Sequence, residues 1–363
     1  MFYEEKIDIL KAKELLEKCA LSIPQGVEYT VGIFDDMTGS LVATGSLKGD
    51  MIQGIAVDPA RQGEDLMGKL LTDLIAEAGR RGLRSLHLFT KPDKSVQFQG
   101  LGLRQVAVAR PYAALLEWGD GGIRQYQAKL REIREAAEAA CPVAEPKAAA
   151  LVMNCNPFTK GHRYLVEQAS QKADIVYLIV VEEDRSLFPF KDRFEMVRRG
   201  VADIENVTVL SGDRYAVSSL TFPSYFTKEE NLAYAHTAMD AELFGRCIAP
   251  ELGVTLRLVG EEPLSPVTAI YNEALLSRLP GKGIDVEVIP RKELGDGPIS
   301  ASRVRALLVQ LWERGLWIEG GEEACVEPEQ KELAELLPVT TYDYLCQPEF
   351  RSYLEKVLEG GKR

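Results

Sequence analysis

The chain has 363 residues with 43 Lys and Arg against 55 Asp and Glu, a formal net charge of −12 that disfavours general nucleic-acid binding, which feeds on basic surface. Hydrophobic residues make up 46% and charged residues 27%, the balance of globular protein with no segment that must be disordered. The length exceeds one ordinary domain and predicts two. No apolar run approaches the roughly 20 residues a membrane helix needs. Met1-Phe2-Tyr3-Glu4-Glu5-Lys6 is acidic and lacks a hydrophobic signal core, so a cytoplasmic location is expected, with neither membrane nor nucleic acid as a partner. The 6 cysteines are scattered without C-x-x-C spacing, which indicates neither a zinc site nor a disulfide framework. The 3 histidines, His87, His162 and His236, are too few for a multi-histidine metal site.

Residues 1–118 form a first predicted domain: a helix pattern over 7–19, strands over 29–34, 40–46, 51–57 and 85–90, and a helix over 69–81 after the loop Asp58–Gly68. Residues 119–146 read as a linker, with a break at Gly119-Asp120-Gly121-Gly122, a charged amphipathic helix over 124–140, and prolines at 142 and 146. From Lys147 the pattern becomes strands alternating with helices. Strands are predicted over 148–153, 175–181, 207–210, 254–259 and 284–289, and helices over 161–172, 191–201, 231–249 and 267–278. Near-continuous apolar strands between helices mean a parallel sheet covered on both faces. The expectation for 147–310 is therefore an α/β, Rossmann-like doubly wound domain with its ligand at the carboxyl ends of the strands. Residues 311–363 form a C-terminal helical extension with helices over 329–337 and 349–358.

The stretch Leu151-Val152-Met153-Asn154-Cys155-Asn156-Pro157-Phe158-Thr159-Lys160-Gly161-His162 is a buried strand, a tight loop and a helix start. Such a loop aims backbone N–H groups at an anion, Gly161 lets a phosphate approach the main chain, and His162 can donate to phosphate oxygen from the first turn. Cys155 reads as a small buried loop residue. Five other stretches are expected at the same crevice. They are Glu182–Arg185, Phe188–Glu195, the aromatic Thr221–Lys228, Val259-Gly260-Glu261-Glu262-Pro263, and Pro298–Arg305. In the last, Ser300 and Ser302 at a helix start can hold β- and γ-phosphate oxygens, and Arg305, one turn on, can make charge-assisted contacts. A plain N-cap by Ser300 or Ser302 is the simpler reading of those hydroxyls.

Thr159-x-Gly161-His162 after a first strand resembles the (H/T)-x-G-H signature of nucleotidylyltransferases, and Asn156-Pro157-Phe158 and Ile299-Ser300-Ala301-Ser302-Arg303-Val304-Arg305 resemble its flanking and completing elements. The resemblance implies ATP binding by Asn154, Asn156, Phe158, Thr159, Gly161, His162, Gly260, Ser300, Ser302 and Arg305. It gives Thr159 and His162 the catalytic role at the α-phosphate, with Mg²⁺ bridging the phosphates and no metal held by a dedicated protein site.

The first domain is similar to the GCN5-related N-acetyltransferase (GNAT) fold in its strand–loop–helix and in Phe98-Gln99-Gly100-Leu101-Gly102-Leu103. Its pyrophosphate loop departs from that pattern. Asp65 sets a carboxylate where the pyrophosphate of acetyl-CoA would lie, and Met67 fills the space next to it, so a structural or docking role is expected there.

The two domains together, with Phe222-Pro223-Ser224-Tyr225-Phe226 and Val259-Gly260-Glu261-Glu262-Pro263 between the two motifs, resemble the [citrate (pro-3S)-lyase] ligase family over about residues 1 to 340. What that implies is activation of acetate by ATP as acetyl-adenylate, and acetylation of the prosthetic-group thiol on the citrate lyase acyl carrier subunit. Two other readings remain open. An adenylyltransferase of the pantetheine-phosphate or nicotinamide-mononucleotide type would share the loop but leave the first domain unexplained. A non-catalytic citrate lyase scaffold would need both sites decayed.

Overall fold

The computed structural model describes residues 2–184, 186–217, 222–227, 229–261, 266–294, 297–318 and 327–360. Arg185, Thr221, Lys228, Glu262 and Pro263, which figure in the expectations above, lie outside them. The chain divides into two compact units, Met1–Lys129 with Val217–Cys247, and Leu130–Ala216 with Ile248–Arg363.

The first unit is built on a seven-stranded sheet of β1 (Phe2–Lys6), β2 (Tyr29–Asp35), β3 (Leu41–Lys48), β4 (Met51–Val57), β5 (Ser85–Thr90), β6 (Arg104–Ala109) and β7 (Ala113–Gly119), in the order β1-β2-β3-β4-β5-β7-β6. Every neighbouring pair is antiparallel except β4 and β5, which pair in parallel only at Met51–His87 and Ile52–Leu88. The reason lies in β4. Thr44 faces Ala56 while Ser46 faces Gln53, so β4 carries one extra residue there, and Gly54 takes φ +61. That bulge bends the strand, so the sheet parts beyond the first two residues of the β4–β5 pair. Helices α1 (Lys13–Lys18), α2 (Leu66–Arg80) and α3 (Ser95–Gly100) complete this part, and α2 buries Leu66, Leu70, Leu74 and Ala78 at helical spacing against the sheet. The expected N-acetyltransferase-like architecture is present. Asp65 stands at φ +56 just before α2, its carboxylate lying against Gly68 in the first helical turn, and Met67 packs against the core. The place where such a helix start would receive a pyrophosphate therefore already holds a carboxylate.

The boundary between the units falls within α4 (Ile123–Ala140). The second unit starts with β8 (Ala148–Met153), α5 (Lys160–Ser170), β9 (Ile175–Val180), α6 (Phe190–Gly200) and β10 (Val207–Ser211). The chain then returns to the first unit with α7 (Glu229–Leu243), which packs against β6 and β7. The second unit resumes with α8 (Ala249–Leu252), β11 (Val254–Gly260), α9 (Pro266–Arg278), β12 (Asp285–Ile289) and α10 (Ala301–Glu313), and closes with α11 (Pro328–Leu336), α12 (Val339–Leu345) and α13 (Pro348–Gly360). Its five strands are all parallel in the order β10-β9-β8-β11-β12. This is the doubly wound sheet expected from the alternating pattern. The order reverses at β8, so the loop after β8 opens at the switch point where such sheets bind ligands.

The expected division into 1–118, 119–146, 147–310 and 311–363 is corrected in the middle. Residues 217–247 belong to the first unit, not to the doubly wound domain. Phe222 lies 5.2 Å from Phe89, ring centroid to centroid, and the Tyr225 hydroxyl donates to the Phe89 carbonyl at 3.2 Å. The Ser22 N–H donates to the Tyr225 carbonyl at 2.8 Å. The described part of the aromatic stretch thus packs into the first unit. The helix itself gave no directional signal. Ala235, His236, Thr237, Ala238, Met239, Asp240 and Ala241 are consecutive and all buried, so no single apolar face marks which sheet it covers.

Phe222→Ala removes the ring that anchors this excursion and should cost about 3 kcal/mol or more of stability. Chemical denaturation of the full chain checks it, and a loss below about 0.5 kcal/mol would contradict the packing described.

Candidate active site

The strand β8 is buried at Ala148, Ala149, Ala150 and Leu151, as a central strand with helices on both faces must be. The loop that follows is shaped from beneath. Cys155 takes φ +51, unusual for a residue with a side chain, and the Asn156–Pro157 peptide is cis. Phe158 is fully buried, and a Cβ on Gly200 would stand only 2.4 Å from its ring, so the end of α6 accepts that ring only because residue 200 is glycine.

The main tie is Arg193, fully buried in α6. Its guanidinium donates to the carbonyls of Asn154 at 2.5 Å, Val181 at 3.0 Å, Glu183 at 2.5 Å and Phe188 at 3.0 Å, and to Asn154 Oδ1 at 2.9 Å. One cation therefore satisfies main-chain acceptors from the ends of β8 and β9 and from the approach to α6. Asn156 Oδ1 accepts from the Phe188 N–H at 3.3 Å, which fixes the same loop from its other side.

Thr159 caps α5 with an extended backbone, and its N–H donates to His162 Nδ1 at 3.0 Å. A glutamate usually closes this reciprocal box, and here an imidazole does so. Because Nδ1 is an acceptor, the neutral ring carries its proton on Nε2. Burial, and then the nearby Arg291 charge, lower the His162 pKa to about 4, so the ring is a neutral donor at pH 7. Phe158 stacks on it with centroids 5.9 Å apart.

The second motif meets the first directly. A Cβ on Gly161 would lie 3.3 Å from the Ile299 carbonyl oxygen, so the first turn of α5 lies against the residue before the Ser300 cap of α10. Ser300 Oγ accepts from the Arg303 N–H at 3.1 Å, which realises the N-cap reading. Arg305 donates to the Asn156 carbonyl at 2.6 Å and to Ser302 Oγ at 2.9 Å, joining the two motifs across 149 residues of chain.

Between these helix starts lies a cavity of about 500 Å³, lined among others by Thr159, Gly161, His162, Gly260, Ser300 and Ser302. Those six expected residues therefore converge on one space. Arg305 stands behind Ser302, and Asn154, Asn156 and Phe158 lie outside the lining, where they shape the loop. The Asn272 side chain donates to the Gly260 carbonyl at 3.1 Å and holds that edge.

Arg291 and Lys292 also line the cavity and were not singled out from sequence. Their signal was two adjacent cations directly after the last parallel strand, in a chain of net charge −12. Cys155 is buried, and burial pushes its thiol up to about 12, so it is inert as a nucleophile. His87 and His236 are buried outside this space. No group of three or more His, Cys, Asp or Glu able to hold a metal ion occurs among the described residues.

Two outcomes follow. Arg193→Lys cannot reach all the carbonyls and should cost about 3 kcal/mol of stability, measured by denaturation; a loss under about 1 kcal/mol would contradict its role as the tie. The His162 ring should titrate near pH 4 by NMR, well below the ordinary 6.5, and a midpoint above 6.5 would contradict its burial. Because the folded value is depressed, the unfolded chain takes up this proton first, and the stability linked to His162 falls as pH drops from about 6.5 towards 4.

Residues 148–316 match the family model described as the citrate lyase ligase C-terminal domain. A relative named [Citrate [pro-3S]-lyase] ligase from Klebsiella pneumoniae is 38% identical over 318 residues, which is 84% of this chain and 90% of the relative. Over 67 residues, 18% of this chain and 41% of the relative, the chain is 36% identical to a phosphopantetheine adenylyltransferase from Petrotoga mobilis. The ribosomal-protein-S18-alanine N-acetyltransferase structure from Escherichia coli is 18% identical with a TM-score of 0.29, covering 33% of this chain and 94% of that one. With two helix starts joined around one cavity and a relative of this identity matched over most of both lengths, the chain belongs to the [citrate (pro-3S)-lyase] ligase family.

Proposed function

We propose that the second unit activates acetate with ATP, forming acetyl-adenylate and pyrophosphate, and that the acetyl group then passes to the prosthetic-group thiol of the citrate lyase acyl carrier subunit, with AMP leaving. One observation carries the assignment of the site. Thr159, Gly161 and His162 from one helix start, and Ser300 and Ser302 from the other, line a single cavity with Arg291 and Lys292. Two helix N-termini and two cations suit a polyphosphate.

In the first step an acetate oxygen attacks the α-phosphorus in line, one P–O bond forms, and the bond to pyrophosphate breaks. The His162 Nε2–H and the N–H groups at the start of α5 stabilise the charge on the α-phosphoryl oxygens. Because the ring is neutral it donates without giving up a proton, and it carries no charge that would be lost near neutral pH. Ser300, Ser302, Arg291 and Lys292 receive the departing pyrophosphate, and Arg305 holds Ser302 in place. In the second step the carrier thiolate attacks the acyl carbon and the C–O bond to AMP breaks. The carrier thiol is itself the nucleophile of this step, so the transfer needs no covalent enzyme intermediate.

Mg²⁺ suits this donor set as an ion carried on phosphate oxygens, because the described lining offers a single carboxylate, Glu261, and such ions bind through substrate phosphates with one or two carboxylates. It would neutralise phosphate charge; the residues named above do the positioning.

The test is ATP–pyrophosphate exchange. Acetate should stimulate it, and His162→Ala should reduce it about 100-fold or more while thermal unfolding stays unchanged. Exchange indifferent to acetate would remove the ligase chemistry, and unchanged exchange in the variant would remove His162 from it.

A further inference from the structure

We propose that Glu332, in α11, is a positioning residue for the nucleotide cavity: together with the end of its own helix it fixes how the two helix starts at that cavity stand relative to one another, an inference that rests on the ligase reading above. Helix α11 lies beyond residues 148–316, and none of its described residues lines the cavity. It is nonetheless attached to both helices that open there. The Glu332 carboxylate accepts from Arg303 Nε in the first turn of α10. Lys160 Nζ, on the first residue of α5, donates to the Ala334 carbonyl at 2.9 Å.

Each attachment has a local cause. Ala334 sits in the last turn of α11, and the residue four positions on is Pro338, which has no N–H, so its carbonyl lacks a donor within the helix. The negative end of α11 suits the lysine ammonium that takes that place. Arg303 is held from two sides. Its N–H donates to Ser300 Oγ at 3.1 Å and its guanidinium reaches Glu332, so the ion pair bears on the capped turn that carries Ser300 and Ser302. Leu333 and Leu336 are buried in the core that also holds Val304 and Leu308, and Arg314 at the end of α10 pairs with Glu327 at 2.7 Å and Glu329 at 2.8 Å. Helix α11 is therefore seated on α10, and Lys160 ties α5 to the same body.

The third tie matters because of what the other two leave free. Gly161 against Ile299, and Arg305 on the Asn156 carbonyl, join the motifs at the cavity itself, and two points of contact leave a rotation about the line between them. An attachment through α11 removes it. In the proposed reaction α5 serves the α-phosphoryl group and α10 the departing pyrophosphate, so that rotation would spoil the in-line geometry, and a misplacement of about 1 Å can cost up to about 100-fold in rate. The Arg303 and Glu332 side chains are 43% and 30% exposed, so the pair adds little to stability and its effect is read in the rate.

Acetate-stimulated pyrophosphate exchange by the full-length protein tests this. Alanine is the strongest helix former, so Glu332→Ala should fold, and glutamate three residues after a serine cap suits a helix start, so Arg303→Glu should fold as well; equal thermal unfolding checks both, and Glu332→Arg with them. Each of the three single variants should lower the maximal exchange rate about tenfold with the KM for acetate unchanged. Combining Arg303→Glu with Glu332→Arg rebuilds the pair in reverse and should bring the rate back to within about twofold of the unaltered protein. Unchanged rates in both Glu332 variants overturn the assignment. A double variant no faster than the single ones also overturns it, in favour of a separate effect of each charge on the bound nucleotide. Exchange that acetate fails to stimulate in the unaltered protein overturns the ligase reading instead.

Discussion

A charged guanidinium sealed away from water is tolerable only if its donors find acceptors, and Arg193 finds four main-chain carbonyls and Asn154 Oδ1. The consequence is mechanical. Carbonyls at the ends of two adjacent parallel strands, which water would otherwise solvate, are drawn to one point, and the loop between β8 and α5 has little freedom left. With the loop held, Thr159 can cap α5 and the imidazole of residue 162 can complete the cap. The orientation of one side chain at the cavity thus depends on a cation that never reaches it.

The cap also sets the chemistry of His162. By accepting the Thr159 N–H, Nδ1 commits the proton to Nε2, and burial keeps the ring uncharged. In the reaction proposed above, a neutral donor at a helix start would complement developing phosphoryl charge without a fixed countercharge that would bind the ground state equally well. Positive charge reaches the cavity instead from Arg291 and Lys292 after β12. Donors and cations come from different elements, and the parallel sheet brings all of their starting points to one edge.

The first unit follows a separate logic. Its sheet parts where β4 bulges, and the start of α2 carries its own carboxylate at Asp65. Like charge disfavours a pyrophosphate at that position. The segment 217–247 adds its aromatic rings and α7 to this unit, giving it a core assembled from two distant parts of the chain.

Much of this was legible along the chain because the physical signals were local. Buried parallel strands are apolar on both faces, so β8, β9 and β11 stood out as runs, and the glycine, threonine and serine positions at two helix starts announced anion-binding turns. The partnership of the two motifs was readable only through resemblance, since nothing in the spacing of Gly161 and Ile299 says that they touch. Three things belonged to the tertiary structure alone. Asn154, Asn156 and Phe158 face inward to shape the loop, because Arg193, Phe188 and Gly200 meet them there. Arg291 and Lys292 reach the cavity because β12 ends at its rim. Helix α7 packs against β6 and β7, a partnership its sequence does not signal because residues 235–241 are buried at consecutive positions, and Tyr234 stacks on Tyr112 with ring centroids 6.3 Å apart.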